Sequence, residues 1–284
     1  MSCGDCSIDI RNPRGAGVPN SRLLSCELGV KDAMTDNKTT SADERLRQEF
    51  NQWAEQGRGE EMEHHHISIT EQTLTLMELK PGQRVLDLGC GAGWATRLLA
   101  QAVAGGERPG QVIGLDVSDE MIRRARANSK EYNNVMFVVG SAQKIPWEEN
   151  FFDKVLSVES FYYYADQERA LAELFRVMAP NGELYILINL YRDNHYSLRW
   201  VDELKVPVQV RSEQEYADLL KAHTFEDVRA VRIPDRTPTP QEYSGKWFKN
   251  AEELREFKRI GALLLIARKP DFLSPPPGYE VYEV

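Results

Sequence analysis

Three glycines at alternate positions and two carboxylates could form a ligand site in the first half of the chain. The stretch VLDLGCGAGW places Asp87 two residues before Gly89, and Gly91 and Gly93 follow. Asp116 closes the next apolar run, VIGLD, 23 residues after Gly93 (116 − 93). Because glycine lets the backbone turn sharply and approach a ligand closely, this spacing predicts a binding loop.

The glycine spacing does not fit two common nucleotide-binding motifs. A dinucleotide loop, G-x-G-x-x-G/A, would need a small residue where Trp94 or Thr96 stands. A P-loop needs Gly-Lys-Ser/Thr after the turn, and this turn has none. Asp87 would repel a pyrophosphate but attract an ammonium or sulfonium group. An acid placed like Asp116 accepts hydrogen bonds from ribose hydroxyls, so we expect a ligand with a cationic end and a ribose.

Alternating short apolar runs and helical patterns must position these residues. Strands are predicted at 84–88, 112–116, 135–139, 154–158, 183–188, 227–233 and 262–268. Helices are predicted at 95–103, 119–132, 167–178, 213–222 and 251–258. The first five strands are short and nearly all apolar, as in a parallel sheet that is buried on both faces. The pattern predicts a doubly wound α/β fold.

Two further helices are predicted ahead of the sheet. Leu46, Phe50 and Trp53 recur at helical spacing, and Gly57 and Gly59 are expected to end that helix. A second helix covers EEMEHHHISITEQTLTLMEL. We therefore expect a disordered leader (1–40), a helical cap (41–80), a main domain (81–270) with an insertion at 191–211, and a C-terminal tail (271–284).

Composition narrows the class of partner and the compartment. The net charge is −9 (35 − 44), which argues against a long nucleic-acid footprint because phosphates need stripes of Lys and Arg. No segment reaches the roughly 20 apolar residues of a membrane span, and no signal-peptide core is present. We expect a cytoplasmic protein. Cys3 and Cys6 form a C-x-x-C pair without a second pair, so no metal site is expected.

Four motifs in order point to a known family. D-x-G-C-G-x-G, the acid Asp116, GSAQKIPWEENFFDKVLSVES and ELFRVMAPNGELYI follow one another with matching spacing. This arrangement resembles the class I S-adenosylmethionine-dependent methyltransferases, from about Val85 to Arg268. The resemblance implies a seven-stranded sheet of order 3-2-1-4-5-7-6 with the last strand antiparallel. It also implies S-adenosyl-L-methionine as the cofactor.

The resemblance further implies which residues contact each part of the cofactor. Those expected around the methionine part are Asp87, Gly89, Cys90, Gly91, Gly93 and Glu159. Asp116 is expected at the ribose, and Val117 and Met121 against the adenine. Ser141, Ala142 and Gln143 correspond to the segment beside the adenine amino group. Many family members have Asp at the position of Ser141, so this chain departs from the family there.

Acceptor-side residues are predicted in three places. A Glu-His-His-His cluster lies before the sheet, and His64 and His65 are candidates for a base or a substrate clamp. The run FYYY follows the fourth strand, and Tyr162 and Tyr163 could stack on a flat acceptor or hold an alkylammonium. The 191–211 insertion could form a lid or a dimer contact.

The motifs identify the methyl donor and leave the acceptor open. We expect transfer to a small-molecule acceptor at an N, O, S or C atom, by in-line attack on the sulfonium methyl. The alternatives are an RNA or protein methyltransferase, or a regulatory module that binds the cofactor without catalysis. The Asn/Asp-Pro-Pro-aromatic motif of many amino-group methyltransferases is replaced by SESFYYY. A homodimer could form through the N-terminal helices or the insertion.

Overall fold

Seven β-strands form the central sheet of the computed structural model, which describes residues 37–107 and 109–271. They are β1 (Arg84–Leu88), β2 (Gln111–Asp116), β3 (Val135–Val139), β4 (Phe152–Val158), β5 (Met178–Ile188), β6 (Glu226–Ile233) and β7 (Ala262–Arg268). Their order is β3-β2-β1-β4-β5-β7-β6. β1 to β5 pair in parallel, and β7 is antiparallel to both of its neighbours. The predicted sheet is confirmed, including the antiparallel last strand.

The helices lie between the strands and ahead of them. They are α1 (Asn37–Glu55), α2 (Arg58–Met77), α3 (Trp94–Ala102), α4 (Asp119–Asn128), α5 (Gln167–Val177), α6 (Glu213–Ala222) and α7 (Ala251–Ile260). α4 ends before the predicted Tyr132, because the chain closes a turn there in which the Tyr132 N–H donates to the Ser129 carbonyl at 3.0 Å. β5 begins before the predicted Glu183, because Met178 already pairs with Phe152.

Alternate strand residues pack into two apolar clusters on opposite faces of the sheet. In β1, Leu86 belongs to a cluster that includes α5 and α6 side chains, whereas Val85 belongs to one that includes α2 and α3 side chains. In β5, Ile186 and Leu187 divide between the same two clusters. This division explains the nearly all-apolar strand sequences, because both faces are buried. The polar ends of the strands remain available for a site.

The two N-terminal helices meet at a left-handed glycine and pack near the glycine loop. Gly57 has φ 76° and separates α1 from α2, as predicted. Gly59, also predicted to end the first helix, instead lies in the first turn of α2. A Cβ on Gly59 would lie 3.2 Å from the Ala92 Cβ and from the Met121 Sδ. A side chain at this position would therefore crowd the contact between α2 and the loop.

The 191–211 segment packs on the main domain. Its ends meet where the Arg192 N–H donates to the Arg211 carbonyl at 2.8 Å. The Trp200 ring lies 5.4 Å from Phe257, centroid to centroid. The Gln209 N–H donates to the Tyr162 carbonyl at 2.7 Å. These contacts make the segment a cover over the domain.

Some predictions concern residues beyond those described. The leader up to residue 36, with Cys3 and Cys6, and the tail from residue 272 lie outside the described residues. α1 begins at Asn37 and so extends into the predicted leader. Over 37–107 and 109–271, no helix is long and apolar enough to span a bilayer.

Candidate active site

A pocket lies at the carboxyl ends of β1, β2 and β4, where doubly wound folds place their ligands. The space between its walls, including the open mouth, is about 1010 Å³. All the residues that the resemblance assigned to the cofactor line this pocket except Gly93. The predicted residues that line it are Asp87, Gly89, Cys90, Gly91, Asp116, Val117, Met121, Ser141, Ala142, Gln143 and Glu159.

The three loop glycines serve different purposes. Gly91 has φ 50° and lines the pocket, and a Cβ on it would meet nothing within 4 Å. Gly89 has φ 75°, and its Cβ would lie 2.5 Å from the Ser160 side chain. Gly93 caps α3 with φ 80°, and its Cβ would lie 2.9 Å from the Phe137 ring. Gly93 therefore permits helix–sheet packing rather than lining the pocket, and Gly91 alone of the three faces open space.

The Asp116 carboxylate is oriented by hydrogen bonds from two backbone N–H groups. Its Oδ2 accepts the Gly91 N–H at 2.9 Å, and its Oδ1 accepts the Ser118 N–H at 2.8 Å. The Ser118 hydroxyl separately caps α4 by accepting the Met121 N–H. Burial raises the pKa of Asp116, although these hydrogen bonds oppose the rise. A carboxylate offers roughly four acceptor positions, so about two remain for a ligand diol.

Asp87 is a buried carboxyl group at the end of β1. Its Oδ2 accepts the Thr96 hydroxyl at 2.6 Å. Burial, and to a lesser degree the charge on Asp116, raises the pKa of Asp87 to about 7. A cation bound beside this group would reverse that shift, because it stabilises the charged form. The site is therefore suited to a positively charged ligand group.

The part of the pocket that the resemblance predicts to face the adenine also contains side chains of α1. Met121 is buried and packs with Trp53 and Ala54. Gln143 Nε2 donates to the Asp43 carboxylate of α1 at 2.7 Å. Sequence reasoning missed Asp43, although it lies at helical spacing before Leu46, Phe50 and Trp53. This helical spacing could have identified Asp43 as a pocket residue, since the four residues together line the pocket.

Glu159 presents a buried carboxylate from a strained backbone position. Its φ is 51°, a left-handed conformation that costs a non-glycine residue about 1–3 kcal/mol. Oε2 accepts the Tyr162 hydroxyl at 2.9 Å, and Oε1 accepts the Asn189 N–H at 2.6 Å. Burial raises the pKa of Glu159, while a charge on His66 lowers it. Such strain, held by two hydrogen bonds, is typical of functional positions.

The two predicted tyrosines differ in position. Tyr162 is buried and directs its hydroxyl to Glu159, so it does not line the pocket. Tyr163 lines the pocket and packs edge-to-face on Phe50, with ring centroids 5.0 Å apart. Tyr162 therefore orients the carboxylate, and of these two tyrosines Tyr163 is the one that can touch a ligand.

Of the histidine run, the structure brings His66 to the pocket and not the predicted candidates His64 and His65. His64 and His65 are exposed on α2, whereas His66 lines the pocket. Successive helical side chains point about 100° apart, so one residue of a run can face inward while its neighbours do not. His66 Nδ1 lies 2.8 Å from the Met62 carbonyl. A hydrogen bond there needs the proton on Nδ1, which leaves Nε2 of a neutral imidazole as an acceptor.

The residues present fit S-adenosylmethionine. Gly91 leaves open space, Asp87 favours a cationic group, and Asp116 has acceptor positions for a ribose.

Over the described ranges 37–107 and 109–271, no group of three or more His, Cys, Asp or Glu side chains could hold a metal ion. The 191–211 segment contributes no residue to the described pocket wall.

Comparison with known proteins identifies methyltransferases as similar to this chain. A family model described as a methyltransferase domain matches residues 86–186. 24-Methylenesterol C-methyltransferase 3 of Arabidopsis thaliana is 34% identical over 121 residues, which are 41% of this chain and 32% of that protein. The ubiquinone/menaquinone biosynthesis C-methyltransferase of Legionella pneumophila is 35% identical over 118 residues, 40% of this chain and 46% of that protein. The chain spans less than half the length of these relatives.

A solved structure is similar over a longer range. It is a chain of the complex between the Haloferax volcanii Trm112 methyltransferase activator and a methyltransferase. The TM-score is 0.72 at 29% identity, and the match covers 78% of this chain and 98% of that one. The matched residues, the sheet order and the pocket together identify a class I S-adenosylmethionine-dependent methyltransferase domain in this chain.

Proposed function

We propose that this protein transfers the methyl group of S-adenosylmethionine to a small-molecule acceptor. The observation that carries the proposal is the cover that α1 and α2 place over the pocket, through Phe50, Trp53, Met62 and His66. A largely apolar pocket that two helices partly cover suits a small acceptor better than a polymer. The names of the curated relatives, which refer to sterol and quinone compounds, support the same class.

The protein's own residues bind and orient the reactants. The sulfonium supplies an electrophilic methyl group, so positioning of the acceptor is the main requirement. The glycine loop and Asp87 hold the methionine part, and Asp116 holds the ribose. Tyr163 and Phe50 form an aromatic wall against which an acceptor can pack.

An acceptor that must lose a proton needs a base in the pocket. His66 Nε2 is the acceptor atom that we assign to this role, because Nδ1 is committed to the Met62 carbonyl. Glu159, whose pKa is affected by a charge on His66, would stabilise the resulting imidazolium. Tyr162 and the Asn189 N–H hold that carboxylate in place.

The deciding experiment is methyl transfer from labelled S-adenosylmethionine across a panel of acceptors. The panel holds small amines, phenols, quinols, sterols and thiols, together with RNA and peptide pools. Labelling of a small molecule supports the proposal, and labelling of only RNA or peptide overturns it. Binding without any transfer favours the regulatory alternative. Asp116→Ala should weaken binding about tenfold or more, since it removes charged hydrogen bonds.

We also propose a protein partner at the edge of the sheet. β3 pairs with β2 alone among the described residues, and its Met136 and Val139 are 53% and 42% exposed. An apolar open edge is suited to pairing with a strand of another chain. The similar Haloferax volcanii complex contains a methyltransferase activator, and an activator of that kind is the occupant that we propose.

The partner proposal is tested with a Trm112-type activator from the source organism, coexpressed with the chain. Met136→Glu should abolish copurification, whereas Val201→Glu, a change at a similarly exposed position elsewhere, should not. Copurification with both variants would overturn the assignment of β3. A homodimer through the N-terminal helices or the 191–211 segment, and a cytoplasmic location, stay predictions; light scattering would settle the oligomeric state.

A further inference from the structure

We propose that Asp43 of α1 accepts a hydrogen bond from the 6-amino group of the cofactor's adenine. It would replace the acid that many family members carry at the position of Ser141. The inference rests on the proposed function only in requiring that the pocket binds S-adenosylmethionine. It assigns part of donor recognition to the N-terminal cap, outside residues 86–186, which the family model matches.

The Asp43 carboxylate reaches the segment that the resemblance places beside the amino group. It lines the pocket together with Ser141 and Gln143. Gln143 Nε2 donates to Asp43 Oδ1 at 2.7 Å, and the Ser141 hydroxyl also hydrogen-bonds to this carboxylate. An acidic side chain therefore lies at this end of the pocket, supplied by a residue 100 positions earlier in the chain than Gln143.

A second acceptor beside Asp43 has no partner. Gln143 is 3% exposed, and its Oε1 is buried without a hydrogen bond in the described part of the chain. The bond to Asp43 fixes the orientation of this amide, because an oxygen facing the carboxylate would be repelled. A buried acceptor left unpaired is costly, so it calls for a donor. An amino group carries two N–H bonds, one for each acceptor.

The position of Asp43 is set by a polar row on one face of α1. Asp43, Arg47 and Asn51 are spaced four residues apart, so they lie on neighbouring turns of the same face. Arg47 Nε donates to Asp119 at 2.8 Å, and Asn51 Oδ1 accepts the Ser118 hydroxyl at 2.6 Å. These contacts fix the helix against the start of α4. Asp43 is thereby held at the pocket even before a ligand binds.

Two ligands that differ at position 6 of the purine, and in the proton that the 6-oxo form carries on N1, distinguish recognition from helix anchoring. We would titrate the full chain calorimetrically with S-adenosylhomocysteine and with its 6-oxo analogue, S-inosylhomocysteine. The wild-type protein should prefer the amino ligand by about tenfold or more, because two acceptors face a carbonyl oxygen in the analogue. Asp43→Asn should reduce that preference about tenfold, because its amide can donate to the oxo group.

Two further variants complete the test. Glu44→Gln, a change at the adjacent exposed acid, should keep the wild-type preference. Adding Ser141→Asp to Asp43→Asn should restore it. An equal loss of affinity for both ligands in Asp43→Asn, with the preference unchanged, would overturn the inference and leave Asp43 as an anchor of α1. A wild-type protein that binds neither ligand would instead overturn the proposed function.

Discussion

The Thr96 hydroxyl donates a 2.6 Å hydrogen bond to the Asp87 carboxylate at the start of the glycine loop. Both residues are buried, with exposed fractions of 0% for Thr96 and 1% for Asp87. The hydrogen bond does not offset the burial, since the pKa of Asp87 still rises to about 7. The charge of this carboxyl group therefore changes near neutral pH.

Cofactor affinity should depend on pH through Asp87. Below about pH 7 the group holds a proton, which it must lose to pair with a cationic ligand group. We expect the affinity for S-adenosylhomocysteine to fall about tenfold per pH unit below that value and to level off above it. Calorimetry from pH 5.5 to 7.5 measures this slope. Asp87→Asn should bind weakly and without the slope, and a variant that kept it would assign the proton to another group.

Gly91→Ala should weaken cofactor binding more than it weakens folding. The side chain meets no protein atom within 4 Å, so its methyl group would occupy space that the ligand needs. Gly105→Ala is the matched control, because Gly105 also has a positive φ and open surroundings but does not line the pocket. Both variants should lose about 1 kcal/mol of stability from backbone strain. Equal cofactor affinity in the two variants would contradict our account of the loop.

His66→Ala should lower turnover at least tenfold on an acceptor that loses a proton. The reason is that Nε2 is the proton acceptor assigned to the pocket. His64→Ala provides the control, since His64 lies on the exposed side of α2. Single-turnover rates separate this effect from binding, and affinity for S-adenosylhomocysteine should change little in both variants. Turnover that fell equally in both would assign the effect to α2 as a whole.

Asn51→Ala should loosen α1 from the domain. Asn51 Nδ2 donates to Asp119 at 3.0 Å, and its Oδ1 accepts the Ser118 hydroxyl at 2.6 Å. Losing these two bonds should cost about 1–2 kcal/mol in the free energy of unfolding. Chemical denaturation measures this cost. Gln48→Ala, which removes an exposed bond to Glu44 within the same helix, should cost much less; similar losses would show that Asn51 does not anchor the helix.

The sequence predicted the parts of the site that depend on local spacing. The carboxyl ends of parallel strands lie together at one edge of the sheet, so Asp87 and Asp116 could be predicted to share a site. The rotation of α2 could not be predicted this way, because it depends on the helix beginning at Arg58 and on Gly59 packing against Met121. The choice of His66 over its neighbours follows from that packing.

Long-range contacts and backbone strain could not be predicted from the sequence either. Asp43 reaches Gln143 only because α1 docks on α4, which no short motif encodes. Glu159 is predicted near the methionine part of the cofactor, and it lines the pocket. Its side chain accepts hydrogen bonds from the Tyr162 hydroxyl and the Asn189 N–H in a buried network. Its backbone has a positive φ, which a glutamate rarely adopts.

Because α1 forms one wall of the pocket, the time for which a nucleoside stays bound should depend on how readily this helix moves. Leu46, Phe50 and Trp53 line the same cavity as the glycine loop. If the proposed function holds, the demethylated product would leave past side chains on a helix that the contacts of Arg47 and Asn51 hold against α4. On the proposed function, we expect stronger anchoring of α1 to slow product exit and to protect the reactants from water. An enzyme with this arrangement can be limited by release, and a partner that shifted α1 would then set its rate.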